Sequence, residues 1–271
     1  MVSDYIDTHA HLNLAQFADD FKPVADRCRA ERVAMINVGT RKDTSARAVE
    51  LAETYDHAWA IVGVHPLNVI DADPDDYGAV AEPVFDYAWY QTLALHPRVV
   101  GIGECGFDYF HNSDETYAAQ REMFRAQIAL ANEVGKPLML HLRNSKDGQG
   151  RNAYDDALEI LASEAKVLGN AHFYAGTQEQ AKRFFDLGYT ISFTGVVTFA
   201  NVYEALIAYA PLDMIHAETD CPYVAPVPYR GQRCEPWMVK EVVQKIADVK
   251  GIEVRVTQNQ LLENAVRLYN I

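Results

Sequence analysis

Eight short apolar runs, separated by stretches with helical spacing, leave this chain few ways to fold. The runs occupy residues 5–12, 33–39, 58–66, 99–104 (continuing to 109), 137–141, 166–172, 189–195 and 214–220. A helical pattern falls in each gap between them, at 24–32, 44–55, 80–95, 115–134, 153–164, 178–187 and 201–211. Two more close the chain at 236–249 and 257–269. Strict alternation of strand and helix implies parallel strands with helices packed outside. Eight such units close naturally into a (β/α)8 barrel, the TIM-barrel form of the α/β class, with an open doubly wound sheet as the alternative. No break in composition divides residues 1–271, so one domain is expected. The segment 67–97 is longer than one helix needs, and its aspartate-rich start reads as a loop on the active face.

Polar residues cluster where the strands end. His9 and His11 close the first run, His65 the third, Glu104 the fourth, His141 the fifth, His172 the sixth and Asp220 the eighth. Barrels carry their active sites at the C-terminal strand ends, and chance does not easily put five of nine histidines there. In an extended strand, side chains two apart face the same way. His9 and His11, with Asp7 behind them, can therefore close two imidazoles on one divalent ion, for which imidazole is a suitable ligand. His9, His11, His141, His172, Glu104 and Asp220 suffice for two ions, Glu104 bridging them, and such a pair can clamp the attacking and leaving oxygens of a hydrolysis. A buried polar network satisfying itself is the competing reading, but that much uncompensated charge is costly to bury.

Other residues have plainer alternatives. His65 is either a catalytic group or a structural histidine beside Pro66. Glu218 shares the inward parity of Asp220 and orients a ligand or forms an internal ion pair. Cys221 points away as a small buried hydrophobe. Arg143, Arg230 and Arg233 grip phosphates bidentately or pair with surface acids. His57, His96, His111 and His216 lie off the pattern and receive no role.

Composition narrows the class further. A net charge of −14 argues against a broad electropositive groove for long nucleic acid, though not against a phosphate held by bound metal. The first strand starts by Tyr5, which leaves no room for a signal peptide, and no apolar run reaches transmembrane length. Four cysteines without CxxC spacing point to reduced thiols and a cytoplasmic address. No membrane association and no obligate protein partner are expected.

The motifs Asp7-Thr8-His9-Ala10-His11, Gly63-Val64-His65-Pro66, Gly103-Glu104-Cys105-Gly106-Phe107-Asp108-Tyr109, Glu218-Thr219-Asp220-Cys221-Pro222-Tyr223 and Pro228-Tyr229-Arg230-Gly231 resemble the TatD family of metal-dependent hydrolases. The resemblance spans essentially the whole chain. It implies an amidohydrolase-type barrel and a metal-dependent DNase, often a 3′-to-5′ exonuclease, acting on single-stranded DNA or DNA ends. By resemblance His9, His11, Glu104 and Asp220 hold a first ion (Mg, Mn or Zn). Glu104, His141 and His172 hold a second, with His65 near the scissile phosphate. Hydrolysis by a metal-bound hydroxide follows, with Asp220 as ligand and base. The chain departs from the family at Cys105, Phe107, Leu142, Cys234 and in His172-Phe173-Tyr174-Ala175-Gly176, where His-Cys-Phe-Ser-Gly is usual. Every ligand stays in place, so these departures bear on substrate choice. Three alternatives stand beside this reading: a metal-dependent amidohydrolase or lactonase acting on a small carbonyl substrate, a metal-free scaffold, and a non-catalytic metal-binding protein.

Overall fold

The computed structural model describes residues 3–70, 80–111, 116–146 and 148–271. Its strands are β1 (Tyr5–Ala10), β2 (Val33–Val38), β3 (Ala58–Val62), β4 (Val99–Asp108), β5 (Leu138–Arg143), β6 (Gly169–Ala171), β7 (Thr190–Phe193) and β8 (Ile215–Ala217). Between them run α1 (Phe21–Ala30), α2 (Lys42–Thr54), α3 (Tyr87–Ala94), α4 (Tyr117–Val134), α5 (Ala153–Glu164), α6 (Gln178–Asp186) and α7 (Glu204–Tyr209), with α8 (Val239–Lys250) and α9 (Val254–Tyr269) closing the chain. Neighbours in the sheet are neighbours in sequence, β1 through β8, all parallel. This is the expected (β/α)8 architecture. β2 is buried along its whole length, as a strand covered on both faces must be.

Closure of the barrel explains why β8 stops short of the expected Asp220. Past Ala217 the chain leaves regular pairing, and Asp220 takes a left-handed φ of 57°. Its amide donates to the His9 carbonyl at 2.9 Å, and the His11 amide donates to the Cys221 carbonyl at 3.1 Å. A parallel bridge between Ala10 and Cys221 completes the seam. The same segment therefore shuts the barrel and delivers Asp220 to its mouth.

The core has two parts. Ile6, Ile36, Val38, Trp59, Ile61, Val100 and Met139 fill the barrel together with Ala265 and Tyr269 of α9. Strand residues of the opposite facing, among them Met35, Ala60 and Val62, pack with the surrounding helices. A register slip in β1 between Asp7 and Ala10 changes which residues face in. Ile6 belongs to the inner cluster, whereas Ala10 and Leu12 belong to the outer one. Asp7 consequently does not back the histidine pair as its spacing predicts. It accepts from the Thr219 hydroxyl (2.5 Å) and amide (2.9 Å) and from the His9 amide (3.2 Å).

The helix expected over 80–95 is only Tyr87–Ala94. Pro83 disfavours helix at the residue before it, and the Asp86 carboxylate caps the helix by accepting from the Trp89 amide. The aspartate-rich loop at 71–79 and the expected helix start at Glu115 lie outside the described residues. The apolar run at 166–172 yields only Gly169–Ala171 as strand, and the helix read from Asn201 begins as a 3-10 turn. Among the described residues no helix is long and apolar enough to cross a membrane. All four cysteines are buried and unbridged.

β4 carries Glu104, and glycine permits its shape. The β4–β5 register slips between Ile102 and Cys105, and Gly106 has φ 139°. A Cβ added there would lie 2.3 Å from the His141 carbonyl oxygen. Side chains in such backbone regions cost about 1–3 kcal/mol before any clash is counted. Gly106→Ala should therefore lose at least about 2 kcal/mol of unfolding free energy in urea titration. Unchanged stability would mean that β4 and β5 are not joined this closely.

Candidate metal centre

Every strand-end residue singled out from the sequence reaches one small volume around Glu104. Its Oε1 lies 2.7 Å from His172 Nε2, 2.8 Å from His141 Nδ1 and 3.4 Å from His65 Nε2. Its Oε2 lies 3.3 Å from His9 Nε2 and 3.8 Å from His11 Nε2. Asp220 Oδ1 stands 3.4 Å from His11 Nε2 and 3.8 Å from His9 Nε2. His9 and Glu104 are within β1 and β4, whereas His11, His65, His172 and Asp220 follow the ends of their strands. One carboxylate oxygen thus faces the pair His141–His172, and the other faces His9–His11.

The donor chemistry fits cations. His11 Nδ1 is 2.8 Å from the Val38 carbonyl, which can only accept, so this nitrogen carries the proton and Nε2 offers a lone pair. That lone pair converges on His9 Nε2 at 3.0 Å, while His9 Nδ1 is buried with no hydrogen-bond partner. Two imidazole nitrogens brought together beside two carboxylates are best satisfied by a divalent ion. Three sets of side chains place ligand atoms within 4.8 Å of one another: His9–His11–Asp220, His65–Glu104–His141 and His9–His172–Glu218.

Hydrogen bonds separate ligand-like members of these sets from the others. His65 Nδ1 accepts from the Leu67 amide at 3.2 Å, so the neutral ring carries its proton on Nε2, the atom facing Glu104. That makes His65 a donor at the centre. Glu218 is fully buried and already accepts from the Ser192 hydroxyl (2.7 Å) and the Phe173 amide (2.6 Å). Its Oε1 lies 3.5 Å from His172 Nδ1, on the side of the ring away from Glu104. From there it can orient His172 or form an internal ion pair with it, the two readings its parity left open.

Electrostatics agree with an ionised core. Burial alone disfavours charge on each ring and each carboxyl. In His9 burial prevails, with His172 adding to it, and the pKa falls below the usual histidine range. In His11 burial is overcome by the Asp220 hydrogen bond and the Glu104 charge. In His172 it is overcome by Glu104 and Glu218, and the pKa rises well above the usual range. His141 is likewise raised against burial, to about 9, by Asp108 and Glu104. Burial would raise Glu104, yet His172, His65 and His9 hold it well below the usual carboxylate range. Asp220 is lowered in the same way, against burial, by His11 and His9.

The centre forms the floor of a cavity of about 520 Å³ whose walls include Phe110, Tyr154, Phe173, Tyr203 and Tyr223. Non-glycine residues with left-handed backbone are Arg32, Phe173, Asp220, Val224 and Asn270 among the described residues, and the middle three line this cavity. The three arginines with two readings now separate. Arg233 makes two bonds to Asp20, at 2.6 and 2.9 Å, so surface pairing is its role. Arg143 instead lies 3.9 Å over the Phe110 ring, and Lys146 lies 4.5 Å over the same ring. Neither has a carboxylate partner among the described residues. Arg230 stacks on Phe199 at 3.8 Å and donates to the Ala225 carbonyl.

Two residues at the centre were not singled out from the sequence. Asp108, buried, lies 3.0 Å from His141 Nε2 and 3.1 Å from His111 Nδ1 through one oxygen. Strand parity held the signal, because Glu104, Gly106 and Asp108 alternate along one face of β4. His111 lies past the strand end, where no period applies. His216, which received no role, is buried and bonded to the Thr190 hydroxyl at 3.0 Å, and burial pushes its pKa down to about 3.

Comparison with known proteins gives a consistent picture. A family profile described as TatD related DNase matches residues 6–270. A protein of Bacillus subtilis (strain 168), described as the uncharacterized metal-dependent hydrolase YabD, is 37% identical over 270 residues, covering 98% of each chain. The 3'-5' ssDNA/RNA exonuclease TatD of Klebsiella pneumoniae (strain 342) is 31% identical over 275 residues, covering 98% of this chain and 97% of its own. Among solved structures, YJJV, a TatD homologue from Escherichia coli K12, superposes over 100% of both chains with a TM-score of 0.84 at 25% identity.

Proposed function

The chain belongs to the family of TatD-related DNases and is related along its whole length to metal-dependent hydrolases, and from this we propose a divalent-metal-dependent deoxyribonuclease. It would hydrolyse phosphodiester bonds at DNA ends in the 3′-to-5′ direction. The relative named as a 3'-5' ssDNA/RNA exonuclease supports that choice of substrate. His9, His11, Glu104 and Asp220 would hold one ion, and Glu104, His141 and His172 the other, from Mg, Mn or Zn. Bound cations would lower the pKa of a coordinated water and polarise the phosphoryl group.

The remaining work falls to the chain itself. Asp220 is only partly exposed, its side chain at 14%, and it faces the cavity from beside His11. There it can take the proton from the attacking water and return it to the leaving oxygen. His65, with its proton on Nε2, donates to a non-bridging phosphoryl oxygen as charge builds. Aromatic walls give unpaired bases a stacking surface, which tolerates any sequence.

The observation that favours a phosphodiester over a carbonyl substrate is the pair of cations at the mouth. In a chain of net charge −14, Arg143 and Lys146 stand over Phe110 with no carboxylate partner among the described residues, where an anionic substrate would enter. A small amide or lactone has no use for them. The test combines elemental analysis with side-by-side rates on an end-labelled single-stranded oligonucleotide and a lactone panel. About two ions per chain and release of mononucleotides are expected. Fast lactone hydrolysis with intact DNA would overturn the nuclease reading and favour the amidohydrolase or lactonase one. His65→Ala should keep its ions but cleave DNA roughly 10²–10³-fold more slowly, the usual cost of one transition-state donor. Wild-type DNA rates in that variant would remove His65 from the reaction.

A further inference from the structure

We infer that Asp108 is a positioning residue for the metal centre, holding His141 in the one ring form that presents Nδ1 as a ligand. The inference rests on the ligation proposed above and assigns a residue outside the ligand set.

Asp108 is fixed before it meets His141. Its Oδ1 accepts from the Phe110 amide at 2.9 Å and the His111 amide at 2.8 Å. Its Oδ2 therefore points in a set direction, 3.0 Å from His141 Nε2 and 3.1 Å from His111 Nδ1. An ionised carboxylate only accepts, so both rings must turn an N–H toward it. When an ion takes the place of the proton on Nδ1, His141 keeps the other proton on Nε2, and the freed lone pair belongs to the atom that lies 2.8 Å from Glu104 and 3.3 Å from His172 Nε2. Without Asp108 the proton would be free to settle on Nδ1 against Glu104, and the ligand atom would be lost. Carboxylates that hold a ligating histidine in this way raise its basicity and fix its orientation, and their loss typically costs 10–100-fold in metal affinity.

The other rings are held differently. His11 rests on a backbone carbonyl, and Glu218 Oε1 stands 3.5 Å from His172 Nδ1, a longer contact than the 3.0 Å between Asp108 and His141. Asp108 also ties the centre to the cavity mouth. The amide it anchors belongs to Phe110, whose ring carries Arg143 and Lys146.

The test is Asp108→Asn, read by metal binding. If the Asn oxygen keeps the two backbone amides, its NH2 group faces His141 Nε2 and favours the ring form with the proton on Nδ1. Mn2+ titration should then show the His141-side ion weakened by roughly 10–100-fold, with the His9–His11–Asp220 ion unchanged. A general structural defect would weaken both. His111→Ala, which leaves the Asp108–His141 bond in place, should bind both ions within about threefold of wild type, well short of the loss expected at Asp108. A second measurement needs no variant: in the Zn2+-loaded protein, imidazole 1H–15N spectra should show His141 with a proton on Nε2 and the metal on Nδ1. Metal on Nε2, or full affinity for both ions in Asp108→Asn, would overturn the inference. These readouts contain no nucleic acid, so a protein that binds two ions and leaves DNA intact overturns the nuclease reading alone.

Discussion

Replacing Glu104 by alanine is expected to remove both ions and leave no measurable turnover. Glu104 meets all five histidines of the centre: Oε1 lies within 3.4 Å of His172, His141 and His65, and Oε2 within 3.8 Å of His9 and His11. Losing it separates the two halves of the centre, takes a ligand from each ion and leaves the buried imidazoles without their common counter-charge. A Lewis-acid cation supplies several kcal/mol of transition-state stabilisation. At 1.36 kcal/mol per decade, that is roughly 10³–10⁴ in rate for each ion. Glu104→Gln keeps the shape and removes the charge, so it separates ligation from packing. Metal content by elemental analysis and rates on a labelled oligonucleotide are the measurements. Normal metal content in Glu104→Ala would end the bridging assignment, whatever the rate. His141→Ala or His172→Ala should weaken mainly one ion.

Asp220→Asn should abolish turnover on every substrate, whatever its leaving group, with a loss of at least about 10³ when ligand and base vanish together. The substitution is well suited to the position. Asparagine tolerates a left-handed backbone better than most residues, so φ 57° and the bond from the residue 220 amide to His9 can persist. A folded, inactive protein with its His141–His172 ion retained is the expected result. Circular dichroism, metal content and rates on both oligonucleotide and lactone would establish it. If Asp220→Asn still cleaves any substrate at the wild-type rate, Asp220 is neither base nor required ligand.

Alternation pointed to the barrel, because eight parallel apolar runs admit few other solutions, and the seam between Ala10 and Cys221 set aside the open doubly wound sheet. The ligands were legible because a barrel puts strand ends together, so position in a run stood in for position in space. What escaped the reading lies where period fails. The slip in β1 turns Asp7 away from the pair it seemed to support. β8 gives way early because the next residues must close the seam with β1. Asp108 obeyed the period of two but stood four residues past a more conspicuous carboxylate. Phe110, His111 and Lys146 belong to loops, whose course depends on tertiary contacts that no local pattern carries, and Arg143 is the last residue of β5. The fate of Arg233 turned on Asp20, more than two hundred residues away in sequence.

The left-handed residues at the cavity set two kinds of selection against each other. Phe173, Asp220 and Val224 have φ of 43°, 57° and 44°, each a backbone state that costs on the order of 1–3 kcal/mol for a side chain. Glycine at Phe173 or Val224 would release that strain, and screening for heat resistance should find such variants readily. The same exchange would strip the wall beside the candidate metal centre of its aromatic or branched surface. Breeding this protein for endurance and breeding it for speed should therefore arrive at different residues in the same loops.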